Sequence, residues 1–302
     1  MNELAPVVLF VFNRAEQTRK TLLALSENVL AKETRLVIYS DGPRSLSDTD
    51  SIENVREILF NFEGCFLELT VVECERNYGL CDNIIKGVTD TCKEFGRAIV
   101  LEDDIVTTPL FLNYMNDALQ YYQGHSHVWQ ISAYSYSSLT DFSDNKFLLP
   151  MSNCWGWATW NDRWEKFERD PIKLMSQFSK DDIYKFNLDG CYNYWHQVEA
   201  NASGKIKTWA IFWYSTIFRN NGLTLYPNKS FVNNIGLDGS GEHCRNTESD
   251  QLVAVLNIEY TKDASSYPIE VNNEAFTTLK STLIKHSPTL VRRIKAKIKS
   301  LF

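Results

Sequence analysis

Four short apolar runs, 7–12, 36–39, 67–72 and 98–101, alternate with stretches of helical spacing, and each run stops at a polar cluster. The intervening stretches carry their apolar residues three and four apart: Leu22, Leu25 and Val29 within 17–30, a second helix over 51–60, and Ile84, Ile85 and Val88 within 80–95, closed by Gly96 as a C-cap. Strands that alternate with helices are joined by crossovers, so the pattern predicts an α/β fold with a mostly parallel central sheet covered by helices on both faces. The clusters are Asn13-Arg14, Asp41-Gly42, Glu75-Arg76-Asn77 and Glu102-Asp103-Asp104. In an open parallel sheet ligands bind outside the carboxyl ends of the strands. These polar residues are therefore expected to share one crevice.

Beyond residue 125 the texture becomes aromatic, with seven of the eight tryptophans between Trp155 and Trp213. Strands are expected over 128–132, 147–151 and 223–226, an extended piece over 231–235, and helices over 181–202 and 209–220. A glycine-rich stretch, 236–243, follows and has the composition of a mobile loop. This divides the chain into a core over 1–245, with halves 1–125 and 126–245, and an extension over 246–302.

Charge is placed unevenly. Lys and Arg number 31 against 38 Asp and Glu, a net −7, and residues 275–302 hold seven basic residues and no acid, which leaves about −14 on the first 274. An acidic body does not suit nucleic acid. The tail places Val291, Ile294, Ile298 and Leu301 on one helical stripe flanked by Arg292, Lys295 and Lys299, a composition that suits either an anionic membrane surface or docking on the acidic body. Seven cysteines without a Cys-x-x-Cys pair indicate reduced thiols, and no apolar run reaches the length of a membrane span. A cytoplasmic protein, peripheral on the inner face of the membrane at most, is the expectation.

Three consecutive acids at a strand end repel one another unless something positive answers them. Hard cations such as Mg2+ or Mn2+ take oxygen ligands, commonly one or two carboxylates completed by water and substrate phosphates. Alternation along an extended strand sets Glu102 and Asp104 on one face and Asp103 on the other. The plainer role is to favour the N-terminus of the next helix, with Thr108 as N-cap and Pro109 as N1. Arg14 and Arg76 stand at strand ends where a diphosphate needs partners, and Gly79 opens a helix whose N-terminus suits phosphate. No Gly-x-Gly-x-x-Gly follows the first run, and no phosphate-binding Gly-x-x-x-x-Gly-Lys-Ser/Thr occurs, which disfavours dinucleotide oxidoreductases and P-loop NTPases.

With those residues in place, the chain resembles glycosyltransferases of the GT-A fold, the bacterial family-2-like enzymes and more distantly the N-acetylglucosaminyltransferase I family. The matching stretches are residues 6–14, 39–42, Arg76-Asn77-Tyr78-Gly79, 101–105 with Thr108-Pro109 and Phe111, Trp155-Gly156-Trp157 through Trp160, and Asn234 to Gly236 with the His243 loop. The resemblance implies a three-layer nucleotide-diphospho-sugar transferase fold and a metal-dependent transfer of a sugar, UDP-linked by preference, to a saccharide or lipid-linked acceptor in surface polysaccharide synthesis. It implies Asp104 as the ligand of Mn2+ or Mg2+, joined by His243. Glu102 and Asp103 would contact sugar and ribose, Asp41 the base, and Asn13, Arg14, Arg76, Asn77 and Gly79 the nucleotide. Trp155, Gly156 and Trp157 would face the acceptor.

One departure concerns the base that takes the acceptor's proton. The resembled family often has an acid just before a tryptophan on a second-half helix, where this chain reads Trp209-Ala210-Ile211-Phe212-Trp213. Asp238 and Glu242 are the preferred substitutes, with Asp162 behind them, and inverting or retaining stereochemistry stays open. His125 and His127 read as surface residues and His196 as structural. Two other readings share this sheet: a nucleotidyltransferase acting on sugar phosphates, and a carbohydrate-binding protein without catalysis.

Overall fold

The computed structural model describes residues 3–236, 256–257, 259–262 and 267–286. Its centre is an eight-stranded sheet of order β3-β2-β1-β4-β8-β6-β9-β7. The strands are β1 (Val7–Val11), β2 (Arg35–Ser40), β3 (Glu68–Glu73), β4 (Arg97–Glu102), β6 (Val128–Ser132), β7 (Lys146–Leu149), β8 (Trp157–Trp160) and β9 (Leu223–Pro227). The first four pair in parallel, as the sequence pattern requires. From β4 outward the sheet is mixed: β8 is antiparallel to both β4 and β6, β9 is parallel to β6, and β7 is antiparallel to β9. A short ribbon, β5 (Ile105–Thr107) against β10 (Val232–Asn234), stands apart from the sheet.

Strand alternation divides the core in two. Val7, Leu9 and Val11 face one layer with Leu22 and Leu25 of α1 (Ala15–Ser26), Val55 and Leu59 of α2 (Thr49–Phe60), and Leu112 and Met115 of α4 (Phe111–Tyr122). Val8 and Phe10 face the other with Ile84 and Val88 of α3 (Leu80–Phe95), Trp164 of α5 (Asn161–Trp164), and Trp213 and Ile217 of α9 (Ala210–Arg219). The result is three layers, helix on sheet on helix. α3 ends as expected at Gly96, in the left-handed conformation with φ 77°.

Two expectations need correction. The helix after the acidic triplet begins at Phe111 with Leu110 as N-cap, because Thr108 donates its N–H to Phe231 and belongs to the chain leaving β5. The single helix expected over 181–202 is two, α7 (Lys180–Phe186) and α8 (Trp195–Ala202), following α6 (Pro171–Gln177). The break lies at Leu188, Asp189 and Gly190, all with positive φ, a conformation that ends an α-helix. The described part of the extension packs against the core. Val271 bridges Leu148, and Ala275 and Leu279 of α10 (Asn273–His286) are fully buried in the main core. The tail over 289–302 lies outside the described residues. Among those described, no helix is long and apolar enough to cross a membrane.

Candidate active site at the carboxyl ends of the strands

The strand order 3-2-1-4 reverses direction at β1: the chain steps from β1 to β2 on one side and returns through β3 to β4 on the other. Loops leaving β1 and β4 therefore diverge and open a crevice. A cleft of about 650 Å³ occupies that position. Asn13, Arg14, Asp41, Asn77, Gly79, Glu102, Asp103, Asp104 and Trp155 all line it.

The acidic triplet does not alternate as an extended strand would. β4 stops at Glu102, and a turn carries Asp103 and Asp104 onto the same guanidinium. Arg14 Nε donates to Asp103 Oδ2 at 3.1 Å, and Nη2 reaches both Asp103 Oδ1 and Asp104 Oδ2, the latter at 2.9 Å. The turn is held from behind by the Thr21 hydroxyl, which donates to the Asp103 carbonyl at 2.8 Å. Asp104 is held from the front, since its carbonyl accepts from Ile235 N–H at 2.9 Å. A Cβ on Gly236 would lie 2.0 Å from Asp104 Oδ2, so only glycine lets the chain pass over that carboxylate.

Three carboxylates against one arginine leave an excess of negative charge. Burial first, then the neighbouring Asp104 and Asp103, push the Glu102 carboxyl up to about 8. From the ordinary value of 4.5 to that point the native protein holds a proton the unfolded chain has released, so cation-free stability falls as pH rises through this window. Glu102→Gln removes the charge and keeps the shape. It is expected to stabilise the protein at pH 8 in chelator by about 0.5–2 kcal/mol, the common scale for a single stabilising substitution, and to flatten the dependence of melting temperature on pH between 5 and 8. Equal or lower stability for the variant at pH 8 would show that Glu102 is not held against its charge.

Asp41 is buried at the end of β2 and its carboxylate is fully engaged. Gly42 N–H and Tyr78 N–H donate to Oδ1, both at 2.9 Å; Asn77 Nδ2 and Gly79 N–H donate to Oδ2 at 3.0 and 2.9 Å. It thus shapes the loop that delivers Gly79 to the start of α3, rather than offering free lone pairs to a base. Arg76 departs further from expectation: its side chain is exposed, lies over the Tyr78 ring at 5.1 Å, and is not part of the cleft lining. Its backbone approaches Gly42, where a Cβ would meet it at 2.6 Å. The cation on that wall is Arg44, which lies over the Phe12 ring at 4.7 Å.

The tryptophan motif divides. Trp155 is half-buried and lines the cleft. Gly156 has φ 64°, and a Cβ there would press on Val232 at 2.9 Å, so the approach it permits is by this chain rather than by a ligand. Trp157 is 1% exposed, stacked on Trp209 at 5.3 Å and packed on Trp164 and Trp213, which excludes it from acceptor contact. Asp162 is excluded as a base by topology. Because β8 runs antiparallel to β4, with Trp157 opposite Val100 and Trp160 opposite Arg97, residues after Trp160 emerge at the wrong end of the sheet. Asp162 there pairs with Arg163. Asp238, Glu242 and His243 lie outside the described residues.

The sequence reading missed the wall opposite in sequence: His196, Gln197, Ile206, Lys207, Thr208 and Ala210 also line the cleft, with Trp209 between them. Lys207 reaches across to Asp82 in the first turn of α3 at 2.5 Å, tying the two halves of the chain together at the cleft rim. Their signal was weak, since only proximity to Trp209 marks them. Among the described residues no three His, Cys, Asp or Glu side chains converge as a metal site. The donors present suit a hard cation that takes one or two carboxylates and completes its shell with phosphate and water.

No family model matches the chain. No curated protein matches it either. Solved structures similar to it include the mannosyltransferase PcManGT from Pyrobaculum calidifontis in complex with GDP-Man and Mn2+, at 10% identity and a TM-score of 0.41 over 72% of this chain and 68% of that one. Another is TarS of S. aureus, at 11% identity and 0.43 over 76% of this chain and 36% of that one. A third is glucosyl-3-phosphoglycerate synthase from Mycobacterium tuberculosis in complex with Mn2+, uridine diphosphate and glucosyl-3-phosphoglycerate, at 12% identity and 0.36 over 54% and 58%. The chain spans about a third of TarS and under two thirds of the synthase.

Proposed function

We propose that this protein is a glycosyltransferase of the GT-A class, moving a sugar from a nucleoside diphosphate to a hydroxyl of a saccharide or lipid-linked acceptor with Mn2+ or Mg2+. The observation that carries the reading is the carboxylate-rich turn after β4, set beside Arg14 at the switch point of the sheet and facing a cleft large enough for a nucleotide sugar. Asp104, with Glu102 near it, would hold the cation, which when bound neutralises charge developing on the leaving diphosphate. Arg14 is the natural second partner of that diphosphate. Its Nη1 is buried with no hydrogen-bond partner among the described residues, and its two ion pairs to aspartate are of the kind an incoming cation would relax.

The base and ribose fit the side formed by Phe12, Asn13, Arg44 and Asn77, with the backbone of the 76–79 loop fixed by Asp41. Trp155 and the wall of residues 206–210 are left for sugar and acceptor. A core over 1–245, with the nucleotide served by the first half and the acceptor by the second, remains the organisation we favour. The basic tail would then bring the protein to an anionic membrane bearing a lipid-linked acceptor.

Because no protein cage is preformed among the described residues, cation and donor are expected to bind together. In a thermal-shift panel of UDP-, GDP-, dTDP- and CMP-sugars, Mn2+ alone should move the melting temperature little. One nucleotide sugar with Mn2+ should raise stability by more than the sum of the separate effects, reaching about 2.7 kcal/mol at a hundredfold excess over Kd. A panel in which no nucleotide sugar shifts the transition, with or without Mn2+, would contradict the assignment. Pyrophosphate release from a nucleoside triphosphate would instead support a nucleotidyltransferase.

A further inference from the structure

Resting on that transferase reading, we propose that His196 is the general base that accepts the proton of the attacking hydroxyl. The helix break at 188–190 makes this residue available: α8 begins at Trp195, whose N–H is taken by Asn187 Oδ1 at 2.9 Å, and His196 falls in its first turn, exposed and lining the cleft. Its Nδ1 sits against the Asn193 carbonyl. A carbonyl only accepts, so Nδ1 carries the hydrogen and Nε2 keeps its lone pair, the tautomer a base requires.

The wall that presents it is rigid. Asn201, one turn further along α8, donates to Thr208 Oγ1 at 2.9 Å and accepts from Thr208 N–H at 3.0 Å. Arg169 closes the same knot, donating to Asn201 Oδ1 at 3.1 Å and to the Thr208 carbonyl at 2.9 Å. Lys207 is anchored to Asp82.

The acids of the described lining are committed elsewhere. Asp41 is filled by four N–H donors, Asp103 and Asp104 hold Arg14, and Glu102 belongs to the same charged cluster. Cys81 is buried, which pushes its thiol up and away from thiolate. His196 stands on a different element from the acids, so it can serve the incoming hydroxyl while they serve the departing diphosphate. In the step, the hydroxyl oxygen bonds to the anomeric carbon as its proton passes to His196 Nε2. The bond from that carbon to the diphosphate oxygen breaks, and the nucleoside diphosphate leaves with the electron pair. With water in place of the acceptor the same step hydrolyses the donor.

The test uses the full chain, Mn2+ and UDP-glucose, UDP-N-acetylglucosamine, GDP-mannose or dTDP-glucose, whichever gives the largest thermal shift, and measures nucleoside diphosphate released to water. His196→Ala should lower the turnover number by about 10²–10³ and leave the donor-induced thermal shift unchanged, and added imidazole should restore at least about a tenfold part of the loss. Turnover equal to the wild type overturns the proposal. So does a loss that imidazole fails to rescue, and so does a fall of the same size in Asp238→Asn/Glu242→Gln with His196→Ala unaffected. A wild type that neither binds nor cleaves any of the four sinks the transferase reading itself, which a failure confined to the His196 variant does not.

Discussion

Asp104→Asn is expected to reduce nucleotide-sugar turnover by roughly 10³-fold or more, equivalent to about 4 kcal/mol of transition-state stabilisation. The substitution keeps the shape of a side chain that fits closely under Gly236, whose absent Cβ would lie 2.0 Å from Oδ2. It leaves the Asp104 carbonyl paired with Ile235 N–H and leaves Arg14 its two contacts to Asp103. The fold should therefore survive, with unchanged circular dichroism. What disappears is one unit of negative charge at the mouth of the cleft, so the joint stabilisation by Mn2+ and donor should fall with the turnover. Comparison of kcat and KM with the wild type checks this. A variant with wild-type turnover would remove Asp104 from the chemistry.

Trp157→Ala should destabilise the protein by about 3–5 kcal/mol, the range for deleting a large aromatic side chain from a packed core. Trp157 is 1% exposed and lies among Trp164, Trp209 and Trp213, with ring centroids 5.3–5.9 Å away. Its loss opens a cavity that rigid indoles cannot fill by relaxing. Chemical denaturation gives the value directly. The same substitution would act on KM alone if Trp157 touched the acceptor, as the sequence motif suggested. A small change in stability with a large change in acceptor KM would restore that role.

What was legible in the sequence depended on period and on strand ends. β1 to β4 alternate with helices whose apolar residues recur at helical spacing, and each strand stops where its side chains turn polar, so the parallel half of the sheet and the crevice above it could be read from residues alone. Side-chain partners could not. Nothing in the string Glu102-Asp103-Asp104 says that the strand ends after the first acid, and that single turn brings two aspartates to Arg14 instead of parting them. The pairing of Asp41 is invisible in sequence because three of its four donors, the Asn77 amide and the N–H groups of Tyr78 and Gly79, come from a loop 36–38 residues away.

The second half was harder for a related reason. β8 packs between β4 and β6, buried on both faces, so its four residues carry no alternation, and its antiparallel direction decides that Asp162 leaves at the wrong end of the sheet. The helix break before α8 rests on left-handed Leu188, a residue that seldom adopts that conformation, with Asp189 and Gly190 the visible cues. His196 owes its place in the cleft to that break.

The proposed activity requires that the turn after β4 hold a divalent cation against the diphosphate of a nucleotide sugar. Crystals grown with Mn2+ and the donor selected by thermal shift test it directly through the anomalous signal of manganese. A single strong peak is expected within about 2.5 Å of an Asp104 carboxylate oxygen, with Arg14 turned from that carboxylate toward phosphate. Bound nucleotide with no manganese at Asp104 and the Arg14 to Asp104 pair intact would contradict it.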